Sequence, residues 1–253
     1  MGKIDRMEHG RFHPASLLTG LVCILSSALS TPASAADWQF SATPYLMFPS
    51  MSGDAQVGPL RVDVSTSPGD VFSNLNWGVM GLLEAHNGVW GVNLDLTYMN
   101  LDATDDRARG SINGHQGAYS ATGLVRVAPG LDVYAGMRVN SLGLHAEGFD
   151  NLGQHRSGSR SRTWVDPLIG ARAVLPIGDT FDFTLLADLG GFGIGSDVAA
   201  QVWPSFGWKA SDSLKVSAGY RVIYTDYSTG EGDSHFVYDV TTFGPTLGVS
   251  IRF

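Results

Sequence analysis

Five charged residues stand inside stretches that are otherwise oily: Glu84, Asp95, Arg138, Arg172 and Arg221. Each has apolar or aromatic neighbours on both sides, such as Leu94 and Leu96 around Asp95. In an extended strand that spacing puts the charge on one face and the oily groups on the other. Two acids and three bases placed this way suit mutual ion pairing or a narrow polar conduit. Charge away from water is costly, so such groups need partners or solvent. A second candidate is Asp233-Ser234-His235, where a carboxylate beside an imidazole could orient it as a base that activates water. His115, His145, His155 and Asp105-Asp106 stand in connections without a recognisable motif. Phosphate loops, dinucleotide fingerprints, zinc-helix motifs and nucleophile elbows do not stand out. No metal site and no cofactor is expected, and no catalytic residue is assigned.

The elements that must carry these residues are strands. The last one reads Phe243-Gly244-Pro245-Thr246-Leu247-Gly248-Val249-Ser250-Ile251-Arg252-Phe253. Its apolar positions recur at every second residue, the period of a strand with one oily and one polar side. The same alternation recurs about ten times along the chain, which predicts an all-β, transmembrane, antiparallel up-and-down barrel. About ten strands are expected, within a range of about eight to twelve. A closing strand with a terminal aromatic resembles the C-terminal signature of Gram-negative outer-membrane β-barrel proteins. The resemblance implies that Phe253 is the assembly signal. It also implies an outer-membrane location with periplasmic termini. Its implied partners are outer-membrane lipids, lipopolysaccharide, the barrel assembly machinery and periplasmic chaperones.

The start of the chain agrees. Lys3, Arg6 and Arg11 precede an apolar run from Ser16 to Leu25, and Ala33-Ser34-Ala35 is a small-x-small cleavage site. Residues 1–35 are read as a cleaved signal peptide and residues 36–253 as one barrel domain. The apolar run falls short of the ~20 residues of a spanning helix. The one cysteine, Cys23, falls inside the leader, so no disulfide is expected in the barrel. Setting aside three bases and two acids of the leader leaves 13 basic and 22 acidic residues, a formal charge of −9. That balance argues against nucleic acid as a partner, which needs clustered Lys and Arg.

Along the chain, tight connections alternate with longer ones. Asn87-Gly88, Ala128-Pro129-Gly130, Pro176-Ile177-Gly178-Asp179 and Ser211-Asp212 are short turns. Short turns at one end and longer loops at the other match a barrel with both termini on the short-turn side. The segment Gln56–Ser65 reads as an extra hairpin or an extension above the membrane. Asp70 followed by Val71, Phe72 and Leu75 predicts one capped helical turn, which could fold into the barrel mouth as a constriction.

The inward faces also collect Arg126, Asp132, Asp166, Asp182, Asp188, Lys209 and Lys215. A ring of about ten strands is near the width that side chains fill. The expected role is structural, or a narrow pore with a charged and plugged lumen. The alternative is adhesion through loops 102–112 and 145–161. Arg107, Arg109, Arg156, Arg160 and Arg162 are read as facing lipopolysaccharide phosphates. A rim hydrolase like the omptin barrel proteases, resting on Asp233 and His235, is a remote third reading, so the chain is read as a non-enzyme.

Overall fold

The computed structural model describes residues 38–57, 60–105, 110–149 and 155–253. The expected leader with Cys23, and Asp106, Arg107 and Arg109, lie outside the described residues. Twelve strands follow in order: β1 (Gln39–Met47), β2 (Ser50–Val57), β3 (Leu60–Thr66), β4 (Leu75–His86), β5 (Trp90–Asp105) and β6 (Gly110–Ala128). The second half holds β7 (Leu131–Phe149), β8 (His155–Ile177), β9 (Phe181–Gly191), β10 (Val198–Lys209), β11 (Leu214–Thr229) and β12 (Phe236–Arg252). A short helix, α1 (Pro68–Ser73), precedes β4.

Every pairing is antiparallel between neighbours, and β1 pairs with both β4 and β12. That double pairing closes β1 and β4 to β12 into a ten-stranded barrel. Closure removes the free edges that lipid does not tolerate. The expected extra hairpin is present as β2 and β3. β2 continues the line of β1 and pairs with the upper part of β12, from Phe236↔Val57 to Phe243↔Ser50, and β3 pairs with β2.

The last strand shows how alternation becomes a barrel wall. Val240, Thr242, Gly244, Thr246 and Gly248 turn inward and are buried, while Leu247, Val249 and Ile251 are exposed. On neighbouring strands Val216, Val202, Phe206, Leu185 and Ile169 are likewise exposed on the outside. An apolar outer surface with polar groups inside is the pattern of a barrel solvated by lipid. Aromatics bound it below, where Trp38, Trp90, Phe181 and Trp208 are exposed near the tight turns. Above, Trp77 packs on Tyr98 at 4.7 Å. Asp226, Asp239, Asp54 and Asp63 then stand opposite one another across β11, β12, β2 and β3. Four carboxylates in register mark where the outer surface becomes polar.

Closure at the lower end rests on Phe253. Its N–H donates to the Phe40 carbonyl at 3.0 Å, Phe40 N–H donates back at 3.3 Å, and the two rings stack 6.3 Å apart. Gly130 shows why the tight turns need glycine: its φ of 73° is open to few other residues.

β6, β7 and β8 are 19, 19 and 23 residues long. A tilted span uses only ~9–11 residues, so these strands carry the wall well beyond the lipid. The helix α1 is held by a reciprocal cap: the Ser67 hydroxyl accepts from Asp70 N–H, and the Asp70 carboxylate accepts from Ser67 N–H at 2.9 Å. Its Val71 is buried, its Phe72 ring lies 5.2 Å from Phe48, and Asn74 O accepts from Asp102 N–H. The helix thus bridges Phe48, just past β1, to the edge of β5, and none of its residues lines either of the two lumen cavities.

Ser67 donating to Asp70 holds that carboxyl below its usual range. A depressed carboxyl stabilises the cap above its unfolded value and loses that stabilisation as pH falls through the folded one. Amide exchange of Val71–Leu75 is therefore predicted to be slow at neutral pH. Protection relative to free peptide at the same pH should fall several-fold in Ser67→Ala, and in the parent below about pH 4. Exchange of these amides at the rate of free peptide at pH 7 would contradict the bridge.

Candidate functional site

The inward charges do not share one level; they form layers. Nearest the tight turns, Arg126, Asp132 and Arg172 stand side by side on β6, β7 and β8. Asp132 has no exposed surface and accepts from Arg126 Nε at 2.9 Å and from Arg172 Nη2 at 2.7 Å. Arg172 also reaches across the lumen to Glu84 on β4, where its two terminal nitrogens bind both carboxylate oxygens. Asn93 donates to the same carboxylate. Glu84 lies two residues from the end of β4, which is why it joins Asp132 rather than the middle of the barrel. Lys215 pairs with Asp182 at 3.3 Å on the adjoining wall.

The middle layer is built around Arg221, which is 3% exposed. Its Nη2 donates to Asp95 at 2.5 Å, Nη1 to the Tyr45 hydroxyl at 2.6 Å, and Nε to Gln201 Oε1 at 2.8 Å. The Tyr45 hydroxyl in turn donates to Asp95 at 2.7 Å, so the carboxylate is bound twice. The guanidinium also lies 4.6 Å from the centre of the Trp203 ring, a cation–π contact. Gln201 turns its amide nitrogen to Asp188 at 2.8 Å. Asp188 accepts from Arg138 at 3.2 Å and from Tyr134 at 3.1 Å. Gln201 thereby joins the Arg221–Asp95 and Arg138–Asp188 pairs into one polar sheet across the lumen. Gly170 makes room for this: a Cβ there would lie 2.5 Å from Tyr134 Cζ.

An outer layer rests on Asp166. It accepts from Ser196 N–H at 2.6 Å, Ser196 Oγ at 2.9 Å and Asn140 at 2.7 Å. Trp164 donates to Ser196 Oγ and stacks on Tyr227 at 4.1 Å. The connection between β9 and β10 is thus drawn inward against the wall.

Two spaces remain. One, about 430 Å³ with the open solvent it meets, lies between the two deeper layers and is bounded by Arg172 on one side and Arg138, Asp95 and Asp188 on the other. The second, about 740 Å³ with its mouth, lies outside the middle layer, among Met47, Met80, Met99, Leu142, Trp164 and Ile223. The charges between them are bound to one another, and their alignment leaves no free ion-binding row among the described residues.

Tyr45, Gln201, Tyr134, Ser196, Asn93 and Asn140 are polar partners that sequence reasoning did not single out. Parity on β1 and β10 marks Tyr45 and Gln201 as inward, but their partners lie across the barrel. At the rim, His235 follows a 3-10 turn (Gly232–Ser234), while the Asp233 side chain lies outside the described residues. His115 stacks on Tyr98 and meets Ser141 Oγ at 3.4 Å. The side chains of His145, His155 and Arg156 are also outside the described residues. Arg160 is exposed, and Arg162 lies over the Phe236 ring at 5.7 Å.

What these features define is a closed β-barrel with a lipid-type outer surface and a lumen filled by paired charge. No family model matches the chain, and no curated protein matches it. Among solved structures, the chain is similar to the translocator domain of the autotransporter NalP from Neisseria meningitidis. That match has a TM-score of 0.42 at 14% identity and covers 94% of this chain and 96% of that one. It is also similar to Ail, the attachment invasion locus protein of Yersinia pestis, at TM-score 0.38 and 12% identity, covering 85% and 98%. A major outer membrane protein from Thermus thermophilus matches at TM-score 0.37 and 14% identity, covering 86% and 100%.

Removing one partner of a buried pair strands the other charge, at a cost of about 3–5 kcal/mol. Arg221→Met is predicted to lower the unfolding free energy of the vesicle-embedded barrel by that amount in a urea titration. Adding Asp95→Leu to Arg221→Met should recover part of it, because no carboxylate is then left alone.

Proposed function

We propose that this chain is an integral outer-membrane barrel of structural, non-catalytic type whose lumen is closed to ions and sugars. It sits with both termini in the periplasm and meets lipopolysaccharide around its outer rim. The observation that carries the reading is the middle layer, in which Arg221, Asp95, Tyr45, Gln201, Asp188 and Arg138 bind one another across the lumen. A conducting pore keeps charged groups solvated and available to a passing ion; here they are consumed by neighbours. The apolar outer face and the aromatic pairs at both ends support residence in lipid. The Phe40–Phe253 closure supports Phe253 as the element that assembly factors read.

A second reading, surface attachment through segments 102–112 and 145–161, draws on the height of β6 to β8 beyond the lipid. Shortening both segments should then abolish attachment of expressing cells to a host-cell layer and leave the barrel folded.

The closed-lumen reading is tested by swelling of vesicles that hold the protein purified from cells expressing the full chain. Vesicles in iso-osmotic arabinose should swell no faster than protein-free ones. The double variant Arg138→Ala with Arg221→Ala, which opens the middle layer, should swell faster. Arabinose uptake by the parent protein would overturn the reading.

A further inference from the structure

The ladder between β1 and β4 stops early. Its pairs run from Gln39↔His86 to Pro44↔Gly81, although β1 continues to Met47 and β4 begins at Leu75. Extending the register would set Tyr45 opposite Met80 and Met47 opposite Gly78, but no such pairs form. The outer edges of both strands stay engaged over the same length. β1 pairs with β12 through Met47↔Thr246, and β4 pairs with β5 through Trp77↔Asn100. The wall therefore divides here into two lips, each held from behind.

The depth of this seam follows from its neighbours. Leu46 on one lip and Val79 on the other face outward and are exposed. The Trp77–Tyr98 aromatic pair lies beside it, and the polar group Asn76, Asn100 and Asp102 lies just above. The seam thus belongs to the outer half of the lipid-facing band. Toward the rim it is capped by α1, through Phe72 on Phe48 and Asn74 on the edge of β5.

Behind the seam lies the outer cavity, about 740 Å³ with the open solvent at its mouth, to which both lips contribute: Met47 and Pro49 from one, Met80 from the other. Deeper in, Met99, Leu142 and Ile223 continue an apolar lining, and the floor is the Arg221–Asp95 pair, whose charges already satisfy each other. The lining also holds polar groups, among them Thr97, Gln116, Asn140 and Thr242, and apolar surface interrupted by placed polar groups is the usual make-up of a small-molecule pocket. Methionines adapt their shape to an occupant. A break in strand pairing at membrane depth is tolerated where it is buried in protein or lines a water-filled cavity, and the cavity behind this one has polar groups, among them Thr97, Asn140 and Thr242, that can hold water.

We propose that the seam is a lateral port through which the acyl chain of an outer-leaflet lipid enters the cavity behind it. The occupant follows from position: Met47 and Met80, which line the cavity, alternate with Leu46 and Val79, which face the lipid on either side of the seam. The floor seals the cavity from the periplasmic side, so the port serves binding rather than ion passage.

The test places the protein, purified from cells expressing the full chain, in vesicles with a phosphatidylcholine carrying a diazirine at one acyl terminus. After irradiation, adducts are mapped by peptide mass spectrometry. The port predicts adducts on the inward-facing Met99, Leu142 and Ile223 as well as on the outward-facing Leu46 and Val79. Met80→Trp, or Met47→Trp on the opposite lip, fills the gap. Either should remove most inward adducts while the outward ones, which report a folded barrel in lipid, persist. Adducts confined to outward residues in the parent protein would overturn the proposal. So would inward adducts from a free dodecyl diazirine when the phospholipid-borne probe gives none, since that pattern means access from the rim.

Discussion

Pairing of charges that water cannot reach is the interaction on which this molecule depends. Two opposite charges about 4 Å apart attract by about 4 kcal/mol at an effective dielectric near 20. The same low dielectric makes a lone charge there untenable. Each deeper layer answers this with more than one bond per group. Asp132 holds two guanidiniums, and Arg221 spreads its donors over Asp95, Tyr45 and Gln201. Because these bonds run across the lumen, the layers also act as struts that fix the spacing of strands far apart in sequence. Arg221 and Asp95 are separated by 126 residues, and Arg172 and Glu84 by 88.

The outer surface follows a second constraint, that backbone groups in lipid must be paired. Closure through β1 and β12, sealed by Phe40 and Phe253, satisfies it nearly everywhere. The exception is the seam above Pro44, where the chain leaves the cylinder to build the β2–β3 hairpin and α1. That departure places a cavity, a gap in the wall and a capping helix at one place.

Much of this was legible in the sequence, and the reason is geometric. A strand period of two assigns each residue to a face, so Glu84, Asp95, Arg138, Arg172 and Arg221 could be placed inside without knowing any partner. The turn glycines and the alternation around Trp90 to Tyr98 marked strand order as well. What alternation cannot supply is curvature. Whether Arg172 meets Glu84 across the lumen or only its neighbour Asp132 depends on how the sheet closes, and a one-dimensional pattern does not contain that. The early end of the β1–β4 ladder was illegible for a similar reason. Tyr45 and Met47 keep the alternation unbroken, and nothing in residue type records that their neighbouring strand has moved away. The capped turn at Asp70 was readable from local chemistry, but its bridge from Phe48 to Asp102 was not.

Closure of the lumen by the charge layers is the central claim, and single-channel recording reads it most directly. The protein, purified from cells expressing the full chain, would be inserted into a planar lipid bilayer in symmetric potassium chloride. Insertion would be confirmed by protease protection of the barrel. The paired layers predict a silent membrane, with discrete current steps appearing once Arg138 and Arg221 are both replaced by alanine. Reproducible steps from the unaltered protein would contradict the account, because they would mean that the Arg221–Asp95 layer leaves a continuous path for ions.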